Sequence, residues 1–214
     1  VQAVPYGLAY DGAWNIDFDY VRRAITQLAR AIVAVSPNNP TGHYLRQAER
    51  DELYRLGLPL ICDQVFEPFS LVHGVEPAQS TAHAGLTFTL DGLSKRAGLP
   101  QLKLGWTVVS GPEPARREAC ARLELIADTF LSVATPIQQA LPKLLEQAPL
   151  VTAAISMRCR DNLGTLQRTL QASPATLLHA EAGWCCVLRL PAVQSEEQWV
   201  LGLVQEAEVL VQPG

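Results

Sequence analysis

A chain of 214 residues with a formal charge of −4, 48% hydrophobic and 18% charged, is long enough for one full core and too apolar for a disordered segment. Its scattered Lys and Arg form no basic stripe for nucleic acid, and no apolar run reaches membrane-helix length. With no signal peptide in view, the cytoplasm is the expected compartment.

Tyr6 to Asn15 reads as a polar, Gly-containing lead-in. Asp17 and Asp19 then open a helix with Val21, Ala24, Ile25 and Leu28 at helical spacing. Ala31–Val35 is a short continuous apolar run, the pattern of a strand covered on both faces. It stops at Ser36-Pro-Asn-Asn-Pro-Thr-Gly42, nearly all turn formers. Leu45–Leu56 reads as a second amphipathic helix, and Leu58–Cys62 as another buried strand followed directly by Asp63. Leu71–Gly85 shows little periodicity and reads as loop. Strands are expected at Leu86–Leu90 and Leu104–Val109, flanking Lys95. Strand–helix–strand alternation predicts βαβ units, hence an α/β fold: a three-layer, mostly parallel sheet with helices on both faces.

After Gly111 the pattern becomes helical, with segments expected at Glu113–Phe130, Pro136–Gln147 and Leu150–Leu170. The last third predicts strands at Thr176–His179 and Trp184–Leu190, a helix at Glu196–Ala207 and a strand at Val209–Val211, a small α+β domain. The expected division is 1–148 for the large domain and 149–214 for a long connecting helix and part of the small domain. Five cysteines, Cys62, Cys120, Cys159, Cys185 and Cys186, show no CxxC. Buried reduced thiols are expected, rather than a disulfide framework or a zinc site. His43, His73, His83 and His179 lack ligand spacing and read as ordinary loop or strand residues.

In an open α/β sheet, ligands sit outside the carboxyl ends of the strands. Three successive strands end in polar residues there: Asn39, Asp63 and Lys95. Parallel strands lie about 4.8 Å apart, so the three can reach one small ligand. An amine condenses with an aldehyde, a carboxylate keeps a ring nitrogen protonated, and an amide donates to a phenolate. Together they suit pyridoxal 5′-phosphate. A lysine buried beyond a strand would also have its pKa lowered by desolvation, which prepares it as a Schiff-base nucleophile. Each residue also has a purely structural role open to it: turn chemistry for Asn39, a cap for Asp63, solvation for Lys95.

The ordered set Ser36-Pro-Asn-Asn-Pro-Thr-Gly42, Asp63-Gln-Val-Phe66 and Ser94-Lys95 followed by Gly105-Trp106 resembles the class I/II aminotransferases, fold-type I pyridoxal-phosphate enzymes. The likeness extends through Asp128–Gln138. It implies that Lys95 forms the Schiff base and moves protons, and that Asp63 pairs with the pyridine nitrogen. Asn39 would donate to the ring phenolate, with Ser94 and Lys103 in the phosphate cup. The substrates would be an amino acid and a 2-oxo acid, and the protein a homodimer with no nucleic-acid or membrane partner. Three departures stand out. Phe66 replaces the usual Tyr, so one phenolate donor is missing and the Schiff base should hold its proton more tightly. Lys103 stands where Arg is usual and cannot make the bidentate fork. Gly92 replaces a common Ser.

Neither the family's ring-stacking aromatic and Gly-rich phosphate turn nor its carboxylate-gripping arginine falls within these residues. The chain is therefore expected to be a piece of a longer protein, inactive by itself. Arg189 is an unconvincing stand-in for that arginine, because position and not charge defines the role. No Arg lies in Ile126–Thr135, which argues against recognition of acidic side chains. Two competing functions share these residues: a lyase, decarboxylase or cyclase on the same fold, and a ligand-sensing domain of a transcription regulator.

Overall fold

Alternation along the strands decides which side of the sheet becomes core. In the computed structural model, which describes residues 1–72, 85–130 and 132–213, Ile32–Val35 (β3) and Leu60–Asp63 (β4) turn Ile32, Ala34, Leu60 and Cys62 to one side. There they pack with Val21 of helix Phe18–Ala24 (α1) and with Leu53 of helix Gln47–Arg55 (α2). Cover is uneven within this chain. Val33, on the opposite face of β3, is 56% exposed although the apolar run predicts a strand buried on both sides.

The sheet continues through Thr87–Gly92 (β5) and Gly105–Ser110 (β6), in the order β3-β4-β5-β6. The first two pairings are parallel, with Val35 opposite Asp63 and Asp63 opposite Leu90. β6 runs antiparallel to β5, with Gly92 opposite Gly105. Between them lie a one-turn helix, Leu93–Arg96 (α3), and a 3₁₀ turn at Pro100–Leu102. Gly92 explains its own identity here: a Cβ on it would lie 3.0 Å from the Leu104 carbonyl oxygen and 3.1 Å from the Gly105 Cα.

Helix Glu113–Thr129 (α4) follows, close to the expected bounds. The two helices predicted at 136–147 and 150–170 are one helix of 36 residues, Thr135–Leu170 (α5), with Pro142 and Pro149 inside it. An internal proline removes one backbone hydrogen bond and costs about 3 kcal/mol, which is why the sequence suggested a break. Packing offsets it: Ile137, Leu141, Leu144, Leu145 and Ala148 of α5 surround Leu93, Ala97 and Leu104 in a second core. Pro149, the expected domain boundary, thus lies in mid-helix.

The chain's beginning and end depart from expectation. The lead-in is a hairpin, Leu8–Tyr10 (β1) with Trp14–Ile16 (β2), turning at Asp11-Gly12-Ala13. Asp17 caps α1 by accepting the Tyr20 N–H at 2.9 Å, as predicted, but α1 ends at Ala24 and leaves Leu28 exposed. The strands expected at 176–179 and 184–190 shrink to Thr176–Leu177 (β7) and Leu188–Arg189 (β8). Helix Glu196–Ala207 (α6) has Ser195 as N-cap, its hydroxyl accepting the Gln198 N–H. No strand forms at Val209–Val211, where no ladder partner is present among the described residues and Leu210 is open to solvent. Of the cysteines, Cys62 is buried as expected, but Cys120 and Cys185 are exposed. The loop expected at Leu71–Gly85 falls almost wholly outside the described residues, as do His73 and His83.

Candidate active site

The parallel register brings the ends of β3, β4 and β5 to one edge. Beyond β3, Ser36 donates its N–H to the Asp63 carbonyl at 2.8 Å, extending the ladder into the turn that carries Asn39. That turn closes on itself: Gly42 N–H donates to Asn38 O and Asn38 N–H to His43 O, each at 2.7 Å, and the Thr41 hydroxyl reaches Asn38 Oδ1 at 3.0 Å. Both of its prolines, Pro37 and Pro40, follow cis peptide bonds. Asn39 lies at the exposed crest.

Asp63 ends β4 half-buried, and its Oδ1 accepts the Val65 N–H at 3.1 Å. The carboxylate therefore shapes the following turn and retains further acceptor capacity. That turn delivers Phe66, buried against Phe69 at a ring separation of 6.5 Å.

Lys95 sits on α3, which is pinned from three directions. Leu93 and Ala97 anchor it in the second core. The Arg96 Nε donates to Asp91 Oδ2 at 2.7 Å, with Glu67 3.6 Å from the same guanidinium. The Thr152 hydroxyl of α5 donates to the Arg96 carbonyl at 2.8 Å. Lys95 is partly exposed, not buried, and its ammonium lies 5.5 Å from the Phe66 ring centre and 5.0 Å from that of Trp184. Ser94 beside it is half-buried. Lys103 is exposed, with a left-handed backbone at φ 51°.

Sequence reasoning missed Trp184 and the strap that carries it. Gly42 O accepts the N–H groups of both Glu181 and Ala182 at 3.1 Å. The Glu181 side chain accepts the Tyr44 N–H at 3.1 Å and pairs with Arg46. Gly183 N–H donates to Phe69 O at 2.9 Å. No local pattern signals a contact between segments so distant in the sequence. The Tyr44 phenol beneath the strap is pushed up to about 12, first by burial and then by the Glu67 charge.

His43 proves to be a buried structural residue. Its Nε2 donates to Glu49 Oε2 at 2.9 Å, and that carboxylate also accepts the Ile16 and Arg46 N–H groups. Burial alone would raise the Glu49 carboxyl; the hydrogen bonds from His43, Arg46 and Ile16 outweigh it and hold the group below its ordinary value. Arg189, the weak stand-in for a carboxylate grip, instead lies 5.7 Å over the Tyr10 ring.

The whole chain, residues 1–214, matches the family described as Aminotransferase class I and II. The chain belongs to that family. The glutamate-pyruvate aminotransferase AlaA of Escherichia coli K12 is 28% identical over 152 residues, covering 67% of this chain and 37% of that protein. Nicotianamine aminotransferase 1 of Oryza sativa is 30% identical over 152 residues, covering 66% of this chain and 30% of the relative. Among solved structures, the alanine aminotransferase of Pyrococcus furiosus superposes with a TM-score of 0.80 at 23% identity, covering 98% of this chain and 55% of that one. The N-succinyldiaminopimelate aminotransferase of Mycobacterium tuberculosis gives 0.75 at 24%, covering 95% and 54%. At these identities the superpositions establish the shared α/β fold. This aminotransferase-family chain thus spans about half the length of the solved structures, and less of the curated relatives it matches. No helix among its described residues is long and apolar enough to cross a membrane.

Proposed function

We propose that the full-length protein is a pyridoxal-phosphate-dependent aminotransferase, and that the edge carrying Asn39, Asp63 and Lys95 is its cofactor site. The carrying observation is the parallel register, which puts an amide-bearing turn, a carboxylate and a lysine beyond the ends of three adjacent strands. The donor set fits the group. Lys95 offers an amine to its aldehyde, Asp63 a carboxylate to its ring nitrogen, and Asn39 an amide to its phenolate. Ser94 supplies a hydroxyl and Lys103 a charge to its phosphate, while Phe66 offers a ring face and no hydroxyl. When bound, that cofactor supplies an electron sink for the pair left at the substrate α-carbon.

This chain's residues do the rest. Pinned by Arg96, Leu93 and Thr152, Lys95 presents Nζ at the edge, where it takes the proton from the donor's α-carbon. Asp63, oriented by the Val65 N–H, would hold the cofactor through its ring nitrogen, where a carboxylate favours the protonated form. Asn39, on the turn after β3 at the same edge, would fix the cofactor's orientation. In the net reaction one amino acid becomes its 2-oxo acid, and a second 2-oxo acid receives the amino group, so atoms and electrons balance between the two. The names of the relatives support this class of reaction. The division at residues 148 and 149 into large and small domains, the homodimer and the cytoplasmic setting belong to the same proposal.

The test uses full-length protein, cofactor and a ¹⁵N-labelled amino acid. Label should appear on an added 2-oxo acid, and Lys95→Ala should abolish the transfer. Release of free ammonia or carbon dioxide instead would replace this reading with a lyase or decarboxylase.

A further inference from the structure

The strap across the site has a consequence for substrate choice. Ala180–Gly183 is held on both sides: Gly42 and Tyr44 of the Asn39-bearing turn on one, Phe69 and Leu71 on the other, the last donating its N–H to Glu181 O at 2.8 Å. Ala182 is fully buried, and Glu181 and Ala180 are nearly so. The next residue, Trp184, is therefore delivered to a fixed place. Its ring meets Phe66 and Phe69 edge-on at 5.4 and 5.1 Å. With the Lys95 ammonium 5.0 Å from its centre, 38% of the residue remains open to solvent.

The guanidiniums beside the strap and beside Lys95 are already engaged. Arg96 is bound to Asp91 and Glu67, and Arg46 to Glu181. A carboxylate side chain brought against the indole would lose water and find both of these guanidiniums already engaged, while facing the negative side of an aromatic quadrupole. An apolar side chain would instead cover the exposed part of the ring.

We propose that Trp184 is the specificity-determining residue of the amino-donor site, selecting donors whose side chain is uncharged and apolar, aromatic or long aliphatic. This rests on Lys95 being the reacting amine, as proposed above.

The experiment measures half-reactions of the full-length, cofactor-loaded enzyme with phenylalanine, leucine, alanine, aspartate and glutamate, for the wild type, Trp184→Phe and Trp184→Ala. Loss of one apolar wall is expected to lower kcat/KM about tenfold or more for large apolar donors. Trp184→Ala should lose this through KM for phenylalanine and leucine, and change alanine much less. Trp184→Phe, which keeps a ring and tests folding, should recover most of it. A wild type that favours aspartate or glutamate would overturn the inference, as would an equal loss for all donors. Lys95→Ala separates the two proposals. Full transfer by that variant would remove both, whereas a Lys95-dependent enzyme whose donor ratio ignores residue 184 would remove only this one.

Discussion

Replacing Gly42 with alanine tests the contact on which the strap depends. Gly42 has φ +71°, and a Cβ there would stand 2.6 Å from the Ala182 carbonyl oxygen and 2.9 Å from the Ala180 Cβ. The left-handed backbone alone costs an L-residue about 1–2 kcal/mol. Relieving the overlap requires the strap to retreat, which strains the two hydrogen bonds from Glu181 and Ala182 to Gly42 O, each worth about 0.5–1.5 kcal/mol. The expected loss is therefore about 3 kcal/mol. Gly57 supplies the control: its φ is +74°, and nothing lies within 4 Å of a Cβ built on it. Gly57→Ala should lose only the backbone part, leaving a gap of about 2 kcal/mol between the variants, or about 4–8 °C in Tm for a domain of this size. Denaturant and thermal unfolding of the two variants side by side give the comparison. Equal destabilisation would refute the argument that the strap seats directly on the Gly42 turn.

Two further outcomes follow from the buried groups. Glu49 has its folded carboxyl held below the ordinary value, so its contribution is present above about pH 4.3 and is lost as pH falls through the folded value. Glu49→Gln should lower stability at neutral pH and flatten the dependence on pH in that acid window; an unchanged acid limb would contradict the assigned hydrogen bonds. The Cys62 thiol is fully buried and pushed up by that burial, against the opposing pull of Arg50, whose Nη2 lies 3.9 Å away. A maleimide should label Cys120 and Cys185 in the native protein and reach Cys62 only after denaturation; early labelling of Cys62 would contradict the packing of the first core.

What the sequence made legible was whatever a single element encodes. Continuous apolar runs marked β3 and β4, the strand character of Leu86-Thr-Phe-Thr-Leu90 marked β5, and Asp17 and the Glu196 region marked helix starts, because strand burial and capping are local. The three polar strand ends were legible because parallel pairing converts sequence order into spatial order. Helix α5 was not, since Pro149 argues locally for a break and only packing against Leu93 and Leu104 overrides it. The β1–β2 hairpin carried a signal in Asp11-Gly12, a favoured turn pair, that composition alone obscured. Trp184–Leu190 looked like a buried strand, yet strands exist by their ladders, and only Leu188 and Arg189 find one. Nothing local could place Trp184 over Lys95, or Glu181 on Tyr44, because those contacts come from the tertiary path of a distant segment.

The central claim is that Lys95, at the edge shared with Asn39 and Asp63, is the amine that captures the cofactor. Full-length protein incubated with pyridoxal phosphate, reduced with borohydride and digested should yield one pyridoxyl-lysine peptide, and that lysine should be Lys95. Modification at Lys103, at Lys143 or at no lysine of this chain would contradict it.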